Sequence, residues 1–227
     1  MLMKILTLGD PHGKLPKNLD SIIKKNKPAL IVCTGDYAKV KMLPDGTGLV
    51  NNQSQKKIIK KIGSFNLPVL TLKGNMYLSR KTKKIFTKEI SKYKNIHYKH
   101  TGKLNIKDQN FIFFDFLYEK ESLRVKNNVV FSKMRSNANR EKKLNKLLKE
   151  NKNPILIAHN PPYGVLDQIH SGKHVGSKIL LKAIKKHQPK YVFCGHIHEG
   201  KGMRKIGKTE VHNLGICGYK LIEIQNP

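Results

Sequence analysis

The sequence predicts a layered α/β fold with a mixed sheet, and three observations predict it. Short apolar runs alternate along the chain with lysine-rich stretches whose apolar residues recur at helical spacing. The 227 residues, 38% hydrophobic and 26% charged, suffice for one sizeable core and are too mixed to read as disordered. No repeat, low-complexity linker or Pro/Gly/Ser-rich stretch divides them, so the expectation is a single domain spanning residues 1–227.

In chain order, Lys4 to Leu8 reads as a buried strand and Leu19 to Lys25 as an amphipathic helix. Leu30 to Cys33 is a second strand, and Gln55 to Ile62 a second helix. Between them, 38 to 54 reads as a long loop, marked by Pro44-Asp45-Gly46 and Gly48. Val69 to Leu72 is a strand and Lys83 to Ile90 a helix. Ile96 to Phe116 departs from the alternation, with a hairpin expected around Lys107 to Asn110. The stretch from Tyr118 to Ser136 has no assignable pattern. Asn139 to Leu148 and Ser177 to His187 are helical, Pro154 to Ala158 and Tyr191 to Cys194 are strands, and Lys205 to Ile224 reads as short antiparallel strands. Two sheets are compatible with this order.

The basic residues outnumber the acidic by 45 to 15, a formal net charge of +30 that attracts polyanions of any kind. Forty of the 45 are Lys and only five are Arg, whereas fixed-geometry grips on phosphates and base edges favour Arg. The lysines are scattered through nearly every segment, so a nucleic-acid partner is not favoured and a lysine-heavy composition is the plainer account. No apolar run approaches the roughly 18 residues needed to span a bilayer. The first eight residues lack the h-region and cleavage site of a secretory signal, and a cytoplasmic location is expected. Cys33, Cys194 and Cys217, odd in number and widely spaced, read as reduced core thiols.

The chemistry sits at strand ends. Each of the five buried strands runs directly into residues able to bind metal: Asp10-Pro-His12, Gly35-Asp36, Gly74-Asn75, His159, and Gly195-His196-Ile-His198. Ligands of α/β sheets collect beyond the carboxyl ends of strands, so five loops leaving one edge converge on one site. In extended backbone, residues i and i+2 point the same way about 7 Å apart, which lets Asp10 with His12, and His196 with His198, face one cavity. Gly35, Gly74 and Gly195 allow sharp turns there with no Cβ in the way. Singly, Gly-Asp is an ordinary turn and His159 an ordinary core histidine. Together, two carboxylates, an amide oxygen and four imidazoles suit two borderline divalent ions bridged by one carboxylate.

These motifs resemble those of the calcineurin-like metallophosphoesterases: D-x-H, G-D, G-N-H, H and G-H-x-H. The resemblance covers residues 1 to 215 and is closest from His159-Asn-Pro-Pro-Tyr-Gly-Val-Leu-Asp through Gly172-Lys-His-Val-Gly-Ser to Gly195-His-Ile-His-Glu-Gly. That block is similar to the small members of the metallophosphoesterase-domain branch. The resemblance implies a four-layer α-β-β-α sandwich, two mixed β-sheets flanked by helices. It also implies roles: Asp10, His12 and His198 on one metal, Asn75, His159 and His196 on the other, and Asp36 bridging. The third motif departs from the pattern, reading Gly74-Asn75-Met76-Tyr77 where the family usually has a histidine after the asparagine, and the acidic residue usual shortly after Gly-Asp is absent from Tyr37-Ala38-Lys39.

The expected activity is phosphoester hydrolysis by a hydroxide bridging two divalent ions, manganese first, with iron, zinc, nickel or cobalt also compatible. Methionine at position 76 cannot carry a proton, so diesters or good leaving groups are expected over alkyl monoesters. His174, before a predicted helix, is a candidate substitute acid. His97, His100, His170, His187 and His212 have no partner at ligand spacing, and Tyr77 and Tyr163 read equally as pocket lining or core caps. The expected partner is a small phosphoester or nucleotide, with a homo-oligomer open. Two other readings share the fold: a metal-binding scaffold like the retromer subunit, against which the full ligand set stands, and a nuclease, against which stand the missing histidine and the modest length.

Overall fold

The computed structural model describes residues 2–42, 48–75, 80–115 and 132–225, with the side chains of 42, 48, 80–82 and 132–137 left aside. In chain order the elements are β1 (Leu2–Leu8), α1 (Leu19–Asn26), β2 (Leu30–Cys33), β3 (Lys39–Met42), β4 (Gly48–Asn51), α2 (Asn52–Gly63), β5 (Val69–Thr71), α3 (Arg80–Ile90) and β6 (Ile96–Tyr98). They continue with β7 (Thr101–Ile106), β8 (Gln109–Phe114), α4 (Ser132–Lys149), β9 (Ile155–Ala158), α5 (Lys178–His187), β10 (Tyr191–Cys194), a 3₁₀ turn at His198–Gly200, β11 (Gly202–Ile206), β12 (Thr209–Asn213) and β13 (Tyr219–Gln225).

A five-stranded sheet runs β13-β1-β2-β5-β6 and a six-stranded sheet β11-β12-β10-β9-β8-β7. β1, β2, β5 and β6 are parallel, as are β8, β9, β10 and β12, so their carboxyl ends share an edge within each sheet. Side-chain alternation makes the layers. Ile5, Leu30, Val32, Phe113, Ile155, Ile157 and Phe193 meet between the two sheets. The residues between them in sequence turn outward: Leu6, Ile31 and Cys33 pack on α1, α2 and α3, whereas Leu156, Ala158 and Cys194 pack on α4 and α5. The result is a four-layer α-β-β-α sandwich.

Helix ends follow local chemistry. The Asn51 side chain accepts from Ser54 N–H at 3.0 Å, and Ser177 from Leu180 N–H at 3.0 Å, capping α2 and α5. Lysines occupy the last turn of all five described α-helices, where they oppose the negative dipole end; this spreads basic charge over both outer layers.

Four expectations change. The stretch 38–54 is not a plain loop: β3 and β4 pair antiparallel, Val40 opposite Val50, and α2 already begins at Asn52. Too short and exposed for a clear periodic signal, this ribbon falls below what pattern reading detects. The helix α4 starts at Ser132, inside the segment left unassigned. β13 does not stay with β11 and β12 but crosses to pair antiparallel with β1, Ile5 opposite Ile222. Cys33 and Cys194 are core thiols, but Cys217 is half-exposed, at φ +49 beside the first ligand loop.

Candidate metal centre

The carboxyl ends of β1, β2, β9 and β10 deliver side chains to one place, and these form two groups. In the first, ligand atoms of Asp10, His12 and His198 lie within 4.8 Å of one another; in the second, those of Asp36, His159 and His196 do. The groups touch. Asp36 Oδ2 is 3.2 Å from His159 Nε2 and 4.0 Å from His12 Nε2, and His159 Nδ1 is 3.9 Å from Asp10 Oδ1.

Local backbone makes this convergence possible. His12, Asp36 and His196 have φ of +43°, +50° and +65°, left-handed conformations costly for residues with a Cβ and concentrated at functional sites. Glycines clear the space between loops. A Cβ on Gly74, itself at φ +78°, would run into the Asp36 carboxylate, and one on Gly195 into the Asp10 carboxylate. Three loops hold one another: His12 N–H donates to Asp36 O at 2.9 Å, and Asp36 Oδ1 accepts Asn75 N–H at 2.7 Å.

Burial sets the electrostatics. Asp10, Asp36 and His159 are 0–1% exposed, and carboxylates that deep need a compensating positive charge. Burial favours the neutral form of His159, but Asp36 and then Asp10 override it and push its pKa up to about 10. Asp36 falls to about 2, because His159, with His12 and His196, outweighs the opposing effect of burial. His196 falls to about 4 through burial and then repulsion from His159. Thr34 O accepts from His159 Nδ1 at 2.8 Å, which keeps a proton on Nδ1 and turns Nε2 toward Asp36, so a cation bound there would displace the Nε2 proton. His159 Nε2 and His12 Nε2 are both buried and without a hydrogen-bond partner, as nitrogens meant for a cation are. The Asn75 amide nitrogen donates to Asp36 Oδ2 at 2.6 Å, which brings this side chain against the second group. The residues present therefore fit divalent metal.

Supporting residues complete the site. Asp10 accepts from Thr34 Oγ1 at 2.7 Å and from His196 N–H at 2.5 Å, with His198 Nε2 3.3 Å away. Asp115, buried just past β8, accepts from Lys73 N–H at 3.0 Å and Gly74 N–H at 3.2 Å and so fixes the loop carrying Asn75. Sequence reasoning passed over Asp115, although it follows an apolar strand just as the candidate ligands do. Tyr37 and Ala38, where an acidic residue is usual, are fully buried, and the Tyr37 hydroxyl hydrogen-bonds Thr71 Oγ1.

His174 lies outside both groups. Its Nδ1 is 2.6 Å from Oδ1 of the fully buried Asp167, whose Oδ2 accepts Gly164 and Gly176 N–H at 3.0 and 2.8 Å. Asp167 also escaped sequence reasoning, since nothing local marks it. Tyr163 is partly exposed, its ring 5.9 Å from that of His174. His97, His100, His170, His187 and His212 join neither ligand group. Met76 and Tyr77 lie outside the described residues.

A model of the calcineurin-like phosphoesterases matches residues 3–200. The uncharacterized protein MJ1162 of Methanocaldococcus jannaschii is 30% identical over 240 aligned positions, covering 96% of this chain and 90% of that protein. Metallophosphoesterase domain-containing protein 1 of Homo sapiens is 40% identical over 75 residues, 32% of this chain and 23% of that protein. Among solved structures, TT1561 of Thermus thermophilus has a TM-score of 0.63 at 14% identity over the whole of both chains. A dimetal phosphatase from Danio rerio has a TM-score of 0.53 at 10% identity, covering 96% of this chain and 91% of that one. These structural likenesses concern the fold. With its sandwich, its two groups of candidate ligands and a family match across most of its length, the chain belongs to the calcineurin-like phosphoesterases, a family of hydrolases that act on phosphoesters with divalent metal.

Proposed function

We propose that this chain, acting as a single domain, is a dinuclear-metal phosphoesterase that favours diesters. Asp10, His12 and His198 hold one ion, Asn75, His159 and His196 the other, and Asp36 serves both. The observation that carries this reading is the position of Asp36, 3.2 Å from His159 Nε2 and 4.0 Å from His12 Nε2, two buried nitrogens with no other partner. Manganese is the metal to try first, given a donor set of imidazoles, carboxylates and an amide oxygen.

Bound metal supplies a lowered water pKa and positive charge against the phosphoryl oxygens. The chain's residues do the rest. Thr34 O holds His159 in the tautomer that exposes Nε2, and Asp115 steadies the Asn75 loop. Asp167 holds the His174 ring by Nδ1, leaving Nε2 to exchange a proton with the leaving oxygen. Position 76, beside Asn75, is a methionine with no proton to give, so esters with good leaving groups and diesters turn over faster than alkyl monoesters. Lysines spread over the last turns of all five helices favour a small phosphoester or nucleotide over a nucleic-acid track. The protein works in the cytoplasm, where its thiols stay reduced.

The test is hydrolysis of bis(4-nitrophenyl) phosphate and 4-nitrophenyl phosphate by metal-stripped protein refilled with manganese, beside Asp36→Asn. Manganese-dependent diester turnover that vanishes in Asp36→Asn is expected. Two bound ions with no turnover would point to a metal-binding scaffold, and failure to bind metal would end the assignment.

A further inference from the structure

Beside the metal centre lies a pocket of about 620 Å³, the scale of a nucleotide and far more than a lone phosphate needs. It begins one residue beyond His198, since Glu199 and Gly200 form part of its wall. Asn213 ties the two sides together, its Nδ2 donating to Leu166 O at 2.9 Å and to Ile197 O at 2.7 Å. Lys201 runs back along the turn after β12, close enough that a Cβ on Gly215 would lie 3.0 Å from its own Cβ. That turn is bonded to the first ligand loop: Gly215 O accepts from Asp10 N–H at 3.0 Å, and Cys217 N–H donates to Asp10 O at 2.9 Å. The pocket wall at Lys201 is therefore tied, through the turn after β12, to the loop that carries Asp10.

Its charge is unbalanced. The lining includes Lys201, Arg204, Lys205 and His174, with Val165 and Ile169 as apolar surface. Both lining carboxylates are engaged, Asp167 by His174 at 2.6 Å and Glu199 by His170 at 3.2 Å. Among the described residues, Lys201, Arg204 and Lys205 have no carboxylate within 4.0 Å. Lys201, Arg204 and Lys205, from one turn and one edge strand, thus line a cavity whose two carboxylates are each already bonded to a histidine, next to the proposed hydrolytic site.

We infer that this pocket binds a second phosphate of the substrate, so that the preferred ester belongs to a nucleotide-sized molecule with one phosphate at the metal centre and another against Lys201, Arg204 and Lys205. The inference rests on the hydrolase reading for where the first phosphate lies. Phosphate is the fitting anion because it accepts from several N–H groups at once, and Arg204 offers a planar fork alongside two point charges.

The experiment is calorimetric titration of the manganese-loaded full chain with thymidine 3′,5′-bisphosphate and with thymidine 5′-monophosphate. It is run at about 0.15 M salt, where a Debye length of about 8 Å screens the diffuse charge of the chain. The bisphosphate is expected to bind at least about tenfold more tightly. Lys201→Ala/Arg204→Ala/Lys205→Ala abolishes that advantage and leaves the monophosphate affinity unchanged. Lys182→Ala/Lys185→Ala/Lys186→Ala, an equal loss of exposed charge on α5, keeps it. Equal affinities in the parent chain, or an advantage that survives the pocket variant or disappears in the α5 variant, would overturn the assignment. Tight bisphosphate binding without diester turnover would remove the hydrolase reading and leave the pocket standing; turnover with equal affinities would remove the pocket alone.

Discussion

The two ligand groups use the same side-chain types yet differ in depth. The side chains of Asp36 and His159 are 2% and 0% exposed, whereas those of His12 and His198, in the other group, are 16% and 32% exposed. Distance past the strand end tracks the contrast: His159 is the first residue past β9 and Asp36 the third past β2, whereas His12 and His198 each lie four residues past β1 and β10. Asp10, two residues past β1, is as buried as Asp36, and His196, two past β10, is partly exposed. The same motif chemistry therefore yields a more closed group, with two fully buried members, and a more open one, with a single fully buried member.

The sharpest way to break this comparison is at the residue joining the groups. Asp36→Asn is expected to cost about 4 kcal/mol of transition-state stabilisation, about 1,000-fold in kcat/KM, and to lower metal content at both groups by elemental analysis. A loss confined to one ion would sink its bridging role. Next come His159→Ala and His198→Ala. Removing His159 strands Asp36 and Asp10 in the core and should destabilise even the metal-free chain by about 3–5 kcal/mol in urea unfolding. Removing the half-exposed His198 should cost under about 1 kcal/mol of metal-free stability while still losing one ion. Equal destabilisation would erase the distinction between closed and open.

Two smaller effects sharpen it. Asp115→Asn loosens the Asn75 loop, and manganese affinity at the closed group should fall by about 10–100-fold, with the open group unaffected, in competition with a chromogenic chelator. The cysteines report the same asymmetry. Cys33, beside the closed group, is pushed up to about 12 by burial, and Cys194 is also raised by burial. Cys217, by the open group, is also raised by burial but is half-exposed, so a reagent can reach it. A thiol reagent at pH 8 should label Cys217 in the native chain and the other two only after unfolding. Because Cys33 is raised in the fold, its contribution to stability is present below pH 9 and is lost as pH climbs toward about 12. Native labelling of Cys33 would show the closed group to be open.

Much of this was legible in the chain. Leu30–Cys33 and Tyr191–Cys194 form strands at the boundaries their apolar runs mark, because a buried strand needs a continuous apolar run and a polar stop. Each of the seven candidate ligands lies just past such a stop. Asp115 has the same signal but sits beyond a hairpin strand in a region read separately, and Asp167 has none, since its role depends on His174, Gly164 and Gly176 folding round it. The β3–β4 ribbon is four residues a side, too short for periodicity to separate from loop.

The alternation of strands and helices and the identities and spacing of the ligands are written locally along the chain, because hydrophobic period and strand-end chemistry are local properties. Which group is the more closed, the crossing of β13 to pair with β1, and the placing of Lys201, Arg204 and Lys205 along one cavity arise only from long-range packing. Those outcomes depend on strand order and on how loops from distant segments meet, and burial and electric field are sums over neighbours far away in sequence.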